Sequence, residues 1–310
     1  MQEKLTVVVP CYNEAEALPI FYREILKIKQ ELGNTGLELL LVDDGSKDGT
    51  LSVAKELAAK DASVRYISFS RNFGKEAAIY AGLQNAEGDY IAVMDADLQD
   101  PPSLLPEMLQ LVQGGEYDSV GTRRVTRAGE PPIRSFFARC FYKLMNKISQ
   151  TELVDGARDF RLMNRKFVAA VLQLQEHIRF SKGLFALVGF LSKWLEYENV
   201  ERAAGETKWS FWGLVVYAVE GMVAFSTLPL IISTVLGLAC CCLAFAGTAF
   251  VVVKKILFGD PIQGWASTVC IILTLSGIQL FCTGILGQYL AKTYMESKRR
   301  PIYLINEKNF

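Results

Sequence analysis

The chain has 310 residues, and its 33 lysines and arginines are balanced by 33 aspartates and glutamates, so the formal net charge is zero. Zero net charge excludes a global attraction to nucleic acid, and phosphate groups must therefore be bound by local clusters of cations. A single histidine and no Cys-x-x-Cys motif leave little scope for a zinc site.

Short aliphatic segments alternate with amphipathic segments over the first 120 residues. The predicted strands, rich in β-branched and aliphatic residues, are residues 4–10, 37–44, 64–70, 90–97 and 116–121. The predicted helices between them are residues 16–32, 50–60, 75–85 and 103–113. This alternation predicts an α/β domain with a largely parallel sheet and helices on both faces.

Polar residues follow four of the predicted strands, in segments 10–14, 43–46, 71–75 and 95–100. Any one of these segments alone reads equally well as a solvated loop. In parallel α/β sheets, however, ligands bind outside the carboxyl ends of the strands. Four polar strand ends at one edge therefore predict a ligand site. No Gly-x-Gly-x-x-Gly loop follows the first strand and no Walker A motif is present, which argues against a dinucleotide site or a P-loop.

The fourth predicted strand runs directly into the acidic segment Asp-Ala-Asp-Leu-Gln-Asp, residues 95–100. Carboxylate and amide oxygens are the ligands that Mg²⁺ and Mn²⁺ prefer. Asp95, Asp97 and Gln99 are therefore the candidate metal ligands, and an ion there would neutralise charge on a departing diphosphate. Asp100 precedes two prolines, and we expect it to act as a cap-like start of the helix at Ser103.

Six motifs carry a resemblance to a known family: VVVPCYNE, VDDGSKDGT, SRNFGKEAAIYAGL, GDYIAVMDADLQDPP, DFRLMNR and GETKWS. In this order, ahead of two apolar C-terminal segments, they resemble the family-2 glycosyltransferases of the polyprenyl-phosphate type. That group includes dolichyl-phosphate mannose synthases and bactoprenyl-phosphate glucosyltransferases. The resemblance covers nearly the whole chain. It implies a GT-A fold, a nucleotide-sugar donor, a divalent metal and a lipid phosphate acceptor.

The resemblance also implies which residues bind the donor. The implied set is Pro10, Tyr12, Glu14, Asp44, Lys75, Asp95 and Ala96. The first four match positions that hold the nucleotide base and ribose, whereas Asp97 matches the most direct metal ligand. For Asp44 a second interpretation stays open, a capping role before the helix at Thr50.

Catalytic roles follow from the same resemblance. Asp159 matches the position assigned as catalytic base, and Asp155 is the competing candidate. A phosphate monoester has a second pKa of about 6 and is mostly dianionic at neutral pH, so we expect Asp159 to orient the acceptor as much as to abstract a proton. Arg123 is the first choice for binding a phosphate group on chemical grounds rather than by the resemblance, because a guanidinium can bind phosphate oxygens bidentately. A solvated or membrane-facing charged loop is the alternative. Lys208 matches a position that reaches the donor diphosphate.

Two C-terminal segments, residues 221–253 and 261–291, contain no Asp, Glu, Lys or Arg. Both exceed the roughly 20 apolar residues needed to cross a bilayer. We therefore predict a transmembrane hairpin within residues 226–310, with spans at about 228–253 and 265–291. Two unusually hydrophobic core helices are the alternative.

The flanking residues predict the topology. Aromatic residues in segment 209–225 favour an interfacial helix, with a core helix as the alternative. Basic residues follow the second span, and the N-terminal segment is too short for a signal peptide. We therefore predict a multi-pass plasma-membrane protein whose catalytic domain, residues 1–208, and C-terminal tail face the cytoplasm.

The predicted reaction is transfer of one hexose to undecaprenyl phosphate with inversion, which gives a β-linked product. UDP-glucose is the first choice of donor, and GDP-mannose, UDP-N-acetylglucosamine and UDP-4-amino-arabinose are the alternatives. The sequence leaves the oligomeric state open, a homo-oligomer included. An inactive membrane scaffold is the alternative from another class, but an inert relative is expected to lose Asp95, Asp97 or Asp159, and all three are present.

Overall fold

The computed structural model describes residues 2–125, 154, 156–177, 179–198, 227–258 and 264–310. The chain divides into two compact units. The first unit contains Met1–Val215 together with Arg300–Phe310, and the second contains Val216–Arg299. The last eleven residues thus belong to the N-terminal unit.

An eight-stranded sheet forms the centre of the first unit. Its strands are β1 Lys4–Cys11, β2 Gly36–Asp43, β3 Val64–Phe69, β4 Tyr90–Val93, β5 Ser119–Arg124, β6 Ala157–Asn164, β7 Ser192–Tyr197 and β8 Ile305–Lys308. Their order across the sheet is β7-β5-β6-β4-β1-β2-β3-β8. Strands β6 and β8 run antiparallel to their neighbours, and the other pairings are parallel. The predicted α/β class with a mostly parallel sheet is confirmed.

Helices cover both faces of this sheet. They are α1 Ala17–Lys29, α2 Thr50–Lys60, α3 Lys75–Asn85, α4 Leu105–Gln113, α5 Arg165–Gln173 and α6 Ser181–Leu187, and a short 3₁₀ turn at Pro102–Leu104 precedes α4. One face packs Phe21 of α1 and Met108 of α4 in a buried cluster. The other face packs Ile79 of α3 with Phe167 of α5 and Phe185 of α6. Burial of these apolar side chains is the main favourable contribution to the fold.

The strand order brings the carboxyl ends of β4, β1, β2 and β3 together at one edge. Cys11 pairs with Asp43, and Asp43 pairs with Ser68, so these three strands end nearly level. Strand β6 is antiparallel to β4, with Arg161 opposite Val93, so it begins at the same edge. The first residues of β6 therefore lie beside the segment that follows β4.

The C-terminal segment returns to the sheet as strand β8, where the sequence predicted only a tail. Strand β8 pairs with β3, and Ser70 N donates to Leu304 O at 3.0 Å. Tyr303 stacks on Phe69 with ring centroids 4.9 Å apart, and its hydroxyl donates to Gln84 at 2.7 Å. The segment thereby covers an edge of the sheet that would otherwise expose unpaired backbone groups.

Tyr303→Ala is expected to destabilise the first unit by about 2 kcal/mol, because it removes a stacked, partly buried ring. The change should lower the melting temperature of the purified protein by several degrees. Leu304→Ala is the matched control, since the neighbouring side chain is 52% exposed. Equal melting temperatures for the two variants would contradict a structural role for the segment.

The second unit contains two long helices, α7 Leu228–Phe258 and α8 Trp265–Ser297. Cys282 Sγ of α8 lies 3.7 Å from the carbonyl oxygen of Ser233 in α7, so the helices pack side by side. Large apolar side chains of α7 are exposed, among them Leu243 at 73% and Phe245 at 80%. In the described part of the chain, the segment Leu228–Phe250 is long and apolar enough to cross a bilayer. The second span, within α8, stays a prediction, and the predicted interfacial helix at residues 209–225 lies outside the described residues.

Candidate active site

The loops after β1 and β2 are joined by hydrogen bonds. Asn13 N donates to Ser46 Oγ at 2.9 Å, and Asn13 Oδ1 accepts from Lys47 N at 2.9 Å. Glu14 N donates to Thr50 Oγ1 at 2.8 Å. Asn13 has a φ of 55°, which asparagine tolerates better than most residues. These bonds fix the backbone on both sides of Asn13, and so hold the two predicted nucleotide-binding residues of this loop, Tyr12 and Glu14. Pro10 lies just before them in β1.

Asp44 joins the loop after β2 to the loop after β3. It is 2% exposed, and its carboxylate accepts from Phe73 N at 2.6 Å and Gly74 N at 2.9 Å. Burial raises the pKa of Asp44, and these two bonds offset only part of the rise. The α2 helix has Gly49 at its N-terminus and no side-chain cap, so the capping interpretation of Asp44 was wrong. Gly45 allows the close approach, because a Cβ there would lie 2.4 Å from the backbone of Arg71.

Lys75 connects two of the predicted site carboxylates. Its Nζ lies 2.6 Å from Asp95 Oδ1 and 2.5 Å from Asp159 Oδ2. Burial alone would lower the pKa of Lys75, but the charges of Asp159 and Asp95 outweigh it and raise the pKa. Strand ends one to four are thus linked by direct contacts, and the predicted convergence on one edge is confirmed.

Asp159 is held in its ionised form. Burial would raise its pKa, but Lys75 and then Lys182 lower it well below the usual range. Lys182 Nζ, from the start of α6, lies 3.8 Å from Asp159 Oδ1. Lys182 could not be predicted from the sequence, because it lies 23 positions after Asp159 in a segment with no recognised motif.

The segment after β4 fits a divalent ion in part. Asp97 Oδ1 accepts from Gln99 N at 3.1 Å, and the intervening Leu98 has a φ of 56°, a strained value for a bulky residue. Asp95 and Asp97 supply carboxylate oxygens of the kind that Mg²⁺ prefers, and Ala96 between them is buried. Among the described residues, no group of three or more His, Cys, Asp or Glu side chains forms a ready cation site.

Gln99 fits a metal less well than the sequence predicted. Its Oε1 accepts from Arg124 Nη2 at 3.2 Å and from Arg158 Nη2 at 3.5 Å. Two guanidinium groups would repel a cation bound to that oxygen. Asp95 and Asp97 stay the candidate ligands, because each carboxylate carries a negative charge and a second oxygen, even though Lys75 contacts Asp95. Gln99 orients the two arginines in this arrangement.

Asp100 does not cap the following helix, which corrects the sequence prediction. The 3₁₀ turn has Pro101 at its N-terminus and no side-chain cap. The Asp100 carboxylate is fully buried and accepts from Arg158 Nε at 2.9 Å and from the Tyr197 hydroxyl. Asp100 therefore anchors β6 and β7 behind the acidic segment.

Asp100→Asn is expected to destabilise the protein by about 3 kcal/mol, because it breaks a buried ion pair and leaves Arg158 without its carboxylate. The melting temperature should fall by about 5 °C or more. Glu24→Gln removes a surface ion pair with Lys27, and we expect it to change stability by less than about 1 kcal/mol. A melting temperature for Asp100→Asn equal to that of Glu24→Gln would contradict the anchoring role.

The remaining predicted site residues divide into two groups. Arg123 forms an ion pair with Glu196 of β7 and is 42% exposed on its side chain, so its guanidinium is engaged at the surface. Asp155 and Lys208 lie outside the described residues. Sequence reasoning also missed Arg158, although it lies directly before the recognised motif DFRLMNR, which begins at Asp159.

A mostly parallel sheet with an acidic motif at the end of its fourth strand defines the GT-A class of nucleotide-sugar enzymes. Mannosyl-3-phosphoglycerate synthase from Rubrobacter xylanophilus has a similar fold, with a TM-score of 0.50 and 20% identity over 72% of this chain and 73% of that one. The model of glycosyl transferase family 2 matches residues 6–172, and the chain belongs to this family.

Relatives match over nearly the whole length. A prophage bactoprenol glucosyl transferase homolog of Escherichia coli is 41% identical over 97% of this chain and 98% of its own. The bactoprenol glucosyl transferase of Shigella phage SfV is 41% identical over 98% of this chain and 99% of its own. An uncharacterized glycosyltransferase of Synechocystis is 39% identical over 99% and 96%, respectively.

Proposed function

We propose that the protein transfers one glucose from UDP-glucose to a polyprenyl phosphate, with inversion and with a divalent metal, at the cytoplasmic face of the plasma membrane. The chain is 41% identical, over nearly its full length, to proteins named as a bactoprenol glucosyl transferase or its homolog. This similarity supports a polyprenyl phosphate as the acceptor and glucose as the sugar. Exposed apolar side chains on α7 support a membrane location.

The observation that carries the proposal is the bridge from Asp95 through Lys75 to Asp159. Asp95 belongs to the acidic segment on the proposed donor side, whereas Asp159 lies near the start of β6 on the proposed acceptor side. A single ammonium contacts both carboxylates, so the donor and the acceptor are proposed to meet at this point. Lys75 also offsets the repulsion between two carboxylates at a site that must accept a diphosphate.

Asp95 and Asp97 would hold the metal ion in this proposal. When bound, Mg²⁺ or Mn²⁺ would stabilise the negative charge on the diphosphate leaving group. Asp159 stays ionised and orients the acceptor phosphate by way of the surrounding cations. The nucleophile needs little help to lose its proton, because a phosphate monoester has a second pKa of about 6.

The C-terminal strand supports the predicted hairpin. Strand β8 pairs with β3, so residues 300–310 and the catalytic domain lie on the same side of any membrane. The chain between them must then cross an even number of times. A single crossing by α7 would separate β8 from its partner strand, which favours a second span in α8.

The experiment that tests the proposal incubates the purified protein in detergent with undecaprenyl phosphate and a panel of radiolabelled nucleotide sugars. Label from UDP-glucose is expected in the lipid phase, in an amount that depends on added Mg²⁺ or Mn²⁺. Label from GDP-mannose, UDP-N-acetylglucosamine or UDP-4-amino-arabinose instead would overturn the donor assignment. Donor binding without any transfer would favour an inactive scaffold.

A further inference from the structure

A cavity of about 240 Å³ lies on one face of the sheet, between β6, β7 and α6. Its lining combines cations and aromatic rings: Arg158, Arg161, Lys182, Phe185, Phe190 and Trp194. Pockets that bind small molecules are typically apolar with a few polar groups. Arg158 pairs with Asp100 and Lys182 lies 3.8 Å from Asp159, which leaves Arg161 as the cation that an anionic ligand would pair with. Together with three aromatic rings, it suits a ligand that is anionic at one end and apolar at the other.

Arg161 is the unusual group in this lining. It is 4% exposed, and its Nη1 donates to Ser119 Oγ at 2.7 Å and weakly to Ser192 Oγ at 3.4 Å. Its Nε is buried and has no hydrogen-bond partner. Within the described ranges, no carboxylate forms an ion pair with Arg161. Burial lowers the pKa of Arg161 to about 10, so the side chain is still charged at neutral pH.

Aromatic rings surround this guanidinium on the cavity side. The Arg161 Cζ lies 4.6 Å from the centre of the Trp194 ring and 5.3 Å from that of Phe185. Gly121 makes room for the arrangement, because a Cβ there would lie 2.8 Å from the Trp194 ring and 3.0 Å from Arg161 Nη2. Cation–π contacts compensate only part of the cost of burying a charge. Arg161 is thus a buried cation without a carboxylate partner among the described residues, and an anionic ligand could neutralise its charge.

The cavity adjoins the candidate active site. Residues 159 and 161 are two apart on β6, so their side chains lie on the same face of the sheet. Lys182 lines the cavity and also lies 3.8 Å from Asp159. Lys75 contacts both Asp159 and Asp95, and Asp95 belongs to the proposed donor side. Because the cavity adjoins Asp159, it lies on the proposed acceptor side.

We propose that this cavity receives the phosphate end of the lipid acceptor, a phosphate monoester of an apolar alcohol. Arg161 donates to a phosphate oxygen, and Phe185, Phe190 and Trp194 contact the first carbons of the lipid. The inference rests on the proposed function and assigns that acceptor a subsite. A free phosphate ion is also an anion that Arg161 could bind. Binding measurements with farnesyl phosphate and inorganic phosphate distinguish a lipid phosphate from the free ion.

The first test is kinetic and uses Arg161→Met, which replaces a buried cation with an apolar side chain. Loss of a charge-assisted hydrogen bond should raise the KM for undecaprenyl phosphate by about tenfold or more. The KM for the nucleotide sugar should change by less than about twofold. The melting temperature should not fall, since replacing buried charges with apolar groups is often neutral or stabilising.

Arg165→Met is the matched control, because Arg165 donates to the carbonyl oxygens of Ala86 at 2.9 Å and of Gly88, away from the cavity. It should lower the melting temperature and leave the KM for the lipid unchanged. If Arg161→Met behaves in the same way, with an unchanged KM for the lipid, Arg161 is structural and the proposal is overturned.

The second test measures binding without turnover, by titration calorimetry in detergent with farnesyl phosphate, farnesol and inorganic phosphate. Farnesyl phosphate is expected to bind at least about tenfold more tightly than either other probe, and this preference should be lost in Arg161→Met. Equal binding of inorganic phosphate and farnesyl phosphate would overturn the lipid assignment. If the wild-type protein transfers sugar to no lipid phosphate, the proposed function fails, whereas Arg161-dependent binding of farnesyl phosphate would still support the cavity.

Discussion

Asp97→Ala is expected to reduce transfer of sugar to the lipid by at least about 1000-fold in the presence of Mg²⁺ or Mn²⁺. Charge on a departing diphosphate dominates the barrier, and removal of one electrostatic stabiliser commonly costs a factor of this size. The measurement is the initial rate with saturating nucleotide sugar and lipid phosphate. Binding of Mn²⁺ in the presence of the donor, followed by electron paramagnetic resonance, should be lost in parallel.

The matched control is Asp89→Ala, because Asp89 lies at the opposite end of strand β4. Asp89 accepts from Lys4 N at 2.9 Å just before β4 begins, whereas Asp97 follows the end of that strand. The control should keep at least about half of the wild-type rate and its Mn²⁺ signal. Wild-type turnover in Asp97→Ala would remove Asp97 from the metal site.

The elements closest to the ligand edge were the most predictable from sequence. The predicted helices at residues 50–60 and 75–85 coincide with α2 and α3. Both are bounded locally: α2 follows a Gly-containing turn, and α3 follows Gly74, whose φ of 99° suits glycine. Local turn chemistry and amphipathic periodicity are contained within a few residues, which is why sequence alone placed these helices.

Strands β6, β7 and β8 were not predicted, because their pairing depends on distant partners. Strand β8 has the sequence Ile-Asn-Glu-Lys, is mostly exposed and carries no apolar alternation. It exists because β3 offers an open edge and because Asn309 Oδ1 accepts from Tyr66 N at 2.8 Å. A partner strand more than 200 positions away cannot be inferred from the local sequence pattern.

The error over Asp100 has the same origin. An aspartate before two prolines is a reasonable start for a helix by local rules. The partners that decide its role, Arg158 and Tyr197, lie 58 and 97 positions away. Buried ion pairs of this kind form only after the sheet has assembled, so motif reading identified the acidic segment but not which of its members is structural.

Asp159→Asn is expected to lower kcat by about 100-fold, because loss of an orienting carboxylate misplaces the acceptor. The change should not move the acidic limb of the pH profile of kcat. Burial by itself would raise the pKa of Asp159, but Lys75 and Lys182 lower it well below its ordinary value of about 3.9. A carboxyl group with so low a pKa is ionised throughout pH 5–8. It therefore cannot produce a loss of rate near pH 6.

The acceptor phosphate has its second pKa in that range, at about 6, so its protonation should set the acidic limb in the wild type and in Asp159→Asn. The measurement is kcat from pH 4.5 to 8 for both proteins. Asp118→Asn is the matched control, because the pKa of Asp118 is also lowered, mainly by its hydrogen bond from Asn164. It lies at the far end of the sheet, and both its kcat and its profile should match the wild type. A limb that is present in the wild type and absent from Asp159→Asn would instead identify Asp159 as the general base, since only removal of the titrating group abolishes its titration.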